Sequence, residues 1–374
     1  MKMQQAAWLA AITMFGGSAA AQSGVTLYGA IDLSLRSVKN GSAGTIRSLS
    51  PGNNIASRLG FTGSEDLGGG LRASFILETD IGADTGTVGS TSTTFSSFFN
   101  RRANLSLISD KLGEIRLGRE YSPTHYSFCV FEAFGCIGLG GSKMAFDNSS
   151  TTYAGTSSVL GAAFGAVAGP TANQNPTLRV NNSVQYLLPE NLGGLTGAVM
   201  VAPGEGAATS VNGNSKVFAG RVGYAAGPVM VNAATMTTKN TLVAGESFRD
   251  TVLMGSYDFG VVKLYAARRT YTFIAEKMVQ TVLNATVPVG SFGVLKLAYD
   301  KANQTSATAS RNADDAALYA VGYDHILSKR TRLYTTVARL ANSGNARYSI
   351  VTGPNGIRAG ETASAYEVGM RHSF

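Results

Sequence analysis

Long apolar runs are missing from this sequence. Beyond residue 21 no stretch of 18 or more apolar residues occurs, so nothing there reads as a membrane-crossing helix. The Ala-rich segment Val159–Gly169 is the longest weak candidate, and it is too short and too rich in glycine. Cysteine is scarce, with only Cys129 and Cys136, and histidine is limited to His125, His325 and His372. No tetrahedral Cys/His set follows, so no metal site is expected. Helical periodicity is absent. Charged residues make up 14% of the chain, and its cations are scattered singly. That excludes a basic nucleic-acid-binding face. Proline is low at 9 residues and glycine high at 45. The alternating apolar residues that run through most of the chain argue against disorder.

The N-terminus carries Lys2, an apolar stretch Ala6–Phe15 and small residues at Ala19–Ala21. This is the pattern of a secretory signal peptide over residues 1–21, removed at about Gln22. The remaining 353 residues (374 − 21) lose only Lys2. They hold 30 Lys+Arg (31 − 1) against 23 Asp+Glu, a net +7.

What dominates the rest is period two. Val25, Leu27, Gly29, Ile31, Leu33 and Leu35 alternate with Thr26, Tyr28, Ala30, Asp32, Ser34 and Arg36. Leu71/Ala73/Phe75/Leu77 and Ala103/Leu105/Leu107 repeat the pattern, as do Leu295/Leu297/Tyr299 and Leu333/Thr335/Val337. The last strand sets Tyr366, Val368, Met370, His372 and Phe374 against Glu367, Gly369, Arg371 and Ser373. Each strand thus meets a different solvent on each side. "SEDLGGGL", "SDKLGEI" and "PENLGGL" share an acid-or-Asn, Leu, Gly core. Glycine supplies the positive-φ turn position, and the Asp or Asn side chain caps the loop. Short turns of this kind alternate with longer Ser/Thr/Asn/Gly connections at 40–54, 82–97, 204–215, 302–314 and 342–360.

About sixteen strands of ~9–11 residues fit the chain, as a tilted transmembrane barrel requires. Closure satisfies every backbone hydrogen bond and leaves no edge in lipid. A secreted β-sandwich would alternate too, but its strands are shorter and need no aromatic residues at their ends. Here Tyr28, Tyr186, Tyr257, Tyr299, Tyr323 and Phe374 stand near strand ends, where an aromatic girdle belongs.

"SGVTLYGAIDLSL", "SRLGFTGSEDLGGGLRASFILE", "FNRRANLSLISDKLGEIRLGREYSP" and "RVNNSVQYLLP", with the strand ending in Phe374, resemble the general trimeric porins of Gram-negative bacteria, betaproteobacterial type. The resemblance runs over residues 22–374. It implies an all-β, 16-stranded antiparallel barrel with a long third loop, about 122–177, folded into the lumen. Implied partners are two further copies of the chain, outer-membrane lipid and lipopolysaccharide, and the barrel-assembly machinery. That machinery would read the terminal strand, including Tyr366 and Phe374. "FEAFG" (131–135) is similar to the family's constricting segment but lacks its usual proline.

Alternation sends Arg36, Arg58, Arg72, Arg102, Arg116, Arg179 and Lys296 inward. The resemblance makes Arg58, one of Arg101 and Arg102, and Arg179 the basic wall facing the loop. Alternation prefers Arg102, because Arg101 shares its parity with Ala103 and Leu105. Glu132 and Asp147 are the loop's acids and are expected to sit opposite. Guanidinium groups stay charged, and a narrow low-dielectric channel focuses their field, favouring small anionic and neutral solutes. Cys129 and Cys136, in the same loop and outside the reducing cytoplasm, are placed to form a local disulfide. "GLGGSK" (138–143) misses the order of a phosphate loop, and no cofactor is implied. His125 with Ser127 is the nearest approach to a catalytic pair, and no motif supports it. The leading expectation is a diffusion pore with anion preference. A substrate-selective channel of the same fold, and an outer-membrane enzyme or adhesin without an open pore, stand as alternatives.

Overall fold

The computed structural model describes residues 24–374 except 93–94, 131, 143–145, 148–158, 165–175, 205–215, 240–242, 244 and 308–311. The expected signal peptide lies outside the described residues. The wall consists of β1 Val25–Asn40, β2 Thr45–Pro51, β3 Arg58–Gly68, β4 Leu71–Gly82, β5 Arg102–Ser109, β6 Gly113–Tyr121, β7 Arg179–Leu187, β8 Leu195–Ala202, β9 Val217–Ala226, β10 Val229–Lys239, β11 Ser247–Asp258, β12 Lys263–Phe273, β13 Glu276–Val289, β14 Gly293–Thr305, β15 Ala316–Ile326, β16 Thr331–Asn342 and β17 Thr362–Ser373. All pair antiparallel with their neighbours, and β17 returns to β1 over Ala30–Asn40, closing the cylinder. β2 pairs with the upper half of β1 and β3 with the lower half, so the two together fill one position of a closed 16-strand barrel.

Exposure inverts the rule of soluble proteins. Leu35 is 70% exposed, whereas Arg36 beside it is 5% exposed. Val368 is 61% exposed and neighbouring Glu367 1%. An apolar outside with a polar inside is the signature of a sheet wrapped around water and bathed in lipid. Short turns gather at one end. There Gly68, Gly69 and Gly70 all take positive φ, and the Asp66 carboxylate accepts from Gly68 N at 2.8 Å, the turn chemistry its sequence announces.

The seam explains the terminal Phe374. Its backbone exchanges two 3.0 Å hydrogen bonds with Gly29. Its ring occupies the space a Cβ on Gly29 would need, 2.5 Å from that position. The side chains of Tyr366, Val368, Met370, His372 and Phe374 share the outward face, as their alternation predicts.

Two expectations need correcting. Tyr28 is not part of the outer girdle. It shares the inward face with Asp32, and its hydroxyl donates to Glu78 Oε2 at 3.0 Å. The expected long connection at 40–54 is mostly hairpin, since Thr45–Pro51 pairs with Leu33–Lys39. The irregular part is 52–57, which turns into the lumen. There the backbone N–H groups of Asn54 and Ile55 donate to the Asp32 carboxylate at 2.5 and 2.6 Å, and Tyr334 Oη donates to its other oxygen at 2.5 Å.

Candidate functional site

The described residues of the third loop lie inside the barrel. Ser122 caps the short helix α1 (Pro123–Cys129), accepting from His125 N at 3.1 Å, with Pro123 at its first turn. α1 packs on β8–β11, and a second short helix, α2 (Val159–Phe164), packs on β12 and β13. The segment after α1 continues around the wall. Ala133 N donates to Asn284 on β13, Phe134 lies under Lys296 on β14, and Gly138 packs against the Asn53 carbonyl. Val159, Leu160, Ala163 and Phe164 join Met200, Met236, Phe248 and Tyr271 in an apolar cluster on the inner wall. The loop is thus held along β8–β15. Strands β3–β7 face what remains of the lumen.

On that uncovered wall three arginines meet. Arg58 Nε lies 3.6 Å from Glu78, whose other oxygen accepts from Arg101 Nε at 2.6 Å. Arg101 Nη1 pairs with Asp80 at 2.7 Å, and its Nη2 donates to Tyr121 Oη at 2.6 Å. Arg179 Nη2 donates to the same hydroxyl at 3.3 Å, and its guanidinium stands 4.9 Å from the Tyr121 ring centre. Tyr121 also stacks on His125 of α1, centroids 5.0 Å apart. Through this one tyrosine the arginine cluster touches the loop. Alternation therefore chose the wrong member of the pair. Arg101 belongs to the cluster, because the strand begins only at Arg102 and parity does not extend to the residue before it. Arg102 faces inward too, but in a second group. There Glu120 accepts from Arg102 and Arg116 at 2.7 and 2.8 Å and from Asn104 at 2.9 Å, and Arg116 also pairs with Glu114 at 2.7 Å. Arg36 is pinned by Glu367 at 2.7 Å. Lys296 pairs with Asp324 at 3.0 Å, and Arg72 pairs with Asp110 beside a short turn.

Arg58, Arg101 and Arg179 face Glu78 and Asp80, leaving one positive charge (3 − 2). Arg102 and Arg116 are balanced by Glu114 and Glu120. Among the described residues, inward-facing Arg179, Arg221 and Arg371 have no carboxylate within ion-pair distance. Arg221 stands 4.4 Å from the Tyr126 ring of α1. Arg221 and Arg269, which lie outside the expected basic cluster, belong to this inner lining as well.

The loop acids do not face the arginine cluster. Glu132 turns back into the loop, accepting from Ser142 N at 2.7 Å and from Cys136 N. Burial, with the nearby Asp147 charge adding to it, pushes its carboxyl up to about 7, although those two N–H groups pull the other way. A carboxyl raised in the folded state stabilises the loop below its unfolded value near 4.5 and loses that contribution as pH climbs through 7. Glu132→Gln is expected to flatten the pH dependence of protease resistance in the loop between about pH 5 and 8. Wild-type loop cleavage should accelerate over the same range. Asp147 instead accepts from Tyr271 Oη and Gln280 Nε2, both at 2.8 Å, and lies 3.6 Å from Arg269. Cys129 and Cys136 are joined in a disulfide that staples α1 to this turn, with His125 Nδ1 3.3 Å from the Cys129 sulfur. Among the described residues no cluster of His, Cys, Asp and Glu could hold a metal.

Comparison with known proteins places this architecture. Residues 7–345 match the family model described as Gram-negative porin. Outer membrane porin protein 32 of Delftia acidovorans is 33% identical over 97% of this chain and 98% of its own length. An outer membrane porin protein of Bordetella pertussis is 28% identical over 86% of this chain and 89% of its own. Among solved structures, the anion-selective porin from Comamonas acidovorans superposes with a TM-score of 0.75 at 30% identity, covering 94% of this chain and all of that one.

Proposed function

This chain belongs to the Gram-negative porin family, and from that membership we propose that it is an anion-preferring diffusion channel whose selectivity is set by Arg58, Arg101 and Arg179 with Arg221 and Arg371. It is an outer-membrane protein. The observation that carries the selectivity is the unpaired positive charge beside the inlaid loop, where Arg179 and Arg221 flank α1 without a carboxylate partner among the described residues. In a narrow lumen such charge raises local anion concentration and repels cations. The 33%-identical relative and the anion-selective structure support the same reading. Because most luminal arginines are paired, the preference is moderate and fades as salt screens it.

The pore carries out no chemistry of its own, and it works as a homotrimer inserted by the assembly machinery through the Phe374 strand. The Cys129–Cys136 staple and the Arg269 anchor hold the loop in place as the constriction, about 122–177. Residues 1–21 act as the export signal. In a planar bilayer under a salt gradient, the reversal potential should take the sign of an anion-permeable pore. A reversal potential of cation sign would reject the selectivity while leaving the channel standing.

A further inference from the structure

Helix α1 presents an apolar stripe to the lumen. Its Thr124, Ser127 and Phe128 are buried, whereas Tyr126 is 41% and Val130 55% exposed. Val130 stands at the C-cap with helical backbone angles, so it lies one turn beyond Tyr126 on the same face. Leu35 and Val368 meet lipid, but these two side chains meet the water of the pore. Apolar surface held in water costs free energy and marks a place where something else binds. Charge stands beside the stripe. Arg221 on β9 lies 4.4 Å from the Tyr126 ring centre, with no carboxylate within ion-pair distance among the described residues. Its Nη1 donates weakly to Thr196 Oγ1 at 3.5 Å. The Arg116 guanidinium acts on it as a like charge, and an anion beside Arg221 relieves that repulsion. One residue before Tyr126, His125 stacks on Tyr121, which carries Arg179 on its ring.

A stripe of one aromatic and one aliphatic side chain, with an uncompensated guanidinium at its edge, complements a small flat anion charged at one end. We propose that this face of α1 is a binding site for aromatic monocarboxylates of the benzoate class, held there briefly during passage. The carboxylate takes the N–H edge of Arg221, a pairing that guanidinium makes bidentately. The ring lies against Tyr126 and Val130, where ring contact adds to the apolar area removed from water. Acetate carries the same charge but has no body to cover the stripe. The proposal rests on the reading of the lumen as an anion-preferring channel, and it names which anions are retained.

Saturation-transfer NMR titrations of the detergent-solubilised protein with benzoate, cyclohexanecarboxylate and acetate test it. The chloride reversal potential of the same preparation is recorded alongside. Benzoate should bind about tenfold tighter than acetate and about threefold tighter than cyclohexanecarboxylate, which lacks the aromatic ring. Tyr126→Ser should remove most of the benzoate preference, and Tyr126→Phe should keep it, because the ring and not the hydroxyl makes the contact. Val130→Ser should lower benzoate affinity about threefold. Arg221→Gln should weaken benzoate and acetate alike, by about tenfold. Equal wild-type affinities for benzoate and acetate, or for benzoate and cyclohexanecarboxylate, would overturn the site. So would a benzoate preference that survives both Tyr126→Ser and Val130→Ser. Failure of the underlying reading shows separately. A chloride potential of cation sign rejects the anion preference, whereas an anion-sign potential with equal affinities rejects the site alone.

Discussion

Glutamine at both Arg179 and Arg221 is expected to lower the anion-over-cation permeability ratio by at least about tenfold at low salt, the effect of losing one of the two charges. A single charge ~5 Å from a passing ion contributes roughly 0.8 kcal/mol even at the dielectric of water. Removing it raises the energy of an anion there and lowers that of a cation by the same amount, a difference near 1.6 kcal/mol, or somewhat more than tenfold. These two arginines are chosen because no carboxylate among the described residues neutralises them. Arg72→Gln is the contrast. It is paired with Asp110, and its side chain is 48% exposed beside a turn, so its loss should leave the ratio within experimental scatter. The measurement is the reversal potential in a salt gradient, repeated at high salt, where wild type and double variant should converge. Equal ratios for the Arg72 and Arg179/Arg221 variants would mean that selectivity arises elsewhere.

Arg269→Met is expected to release the loop. Arg269 is fully buried and pairs with Asp250 through two bonds at 2.8 and 3.0 Å. Its Nη2 also donates to the Thr177 carbonyl at 3.3 Å, and it lies 3.6 Å from Asp147. Its guanidinium stands 5.0 Å from the Phe128 ring and 4.7 Å from Tyr271. One side chain on β12 therefore holds the start, middle and end of the loop. Methionine keeps most of the volume but leaves the Asp250 carboxylate buried without its cation, a loss of about 3–5 kcal/mol. The barrel, tied by continuous strand pairing, should survive. Protease cleavage within 122–177 should rise sharply, and open-channel conductance should increase. Adding Asp250→Asn should recover part of the loss, because the stranded charge is gone. Unchanged loop protection in Arg269→Met would show that the apolar packing of α2 suffices.

The barrel was legible because alternation is a local property. Each strand of about ten residues shows its two faces, as Leu33/Leu35 against Ser34/Arg36 do. The site was legible only in part, because it forms where alternation stops. Arg101 precedes its strand by one residue, so parity assigned it outward. The contacts with Glu78, Asp80 and Tyr121 that turn it inward come from other strands. Arg268 and Arg269 are adjacent in "AARRTYT", and both faces there mix Ala with polar residues. Nothing local says which arginine is buried, and the deciding partner Asp250 is known only from cross-strand register. "TIRSLSP" reads as loop because serine and threonine serve equally on a wet strand. Glu132 and Asp147 were expected to face the arginine cluster as the loop's acids. Glu132 turned out to brace its own loop, and Asp147 to dock on β12 and β13.

Single-channel recording in a planar bilayer tests the central claim most directly. A closed wall with a wet interior, narrowed but not sealed by the third loop, predicts discrete ohmic conductance steps that persist for seconds and carry more anion than cation. Heat-stable, fully folded barrels that insert into the bilayer yet pass no current would contradict it.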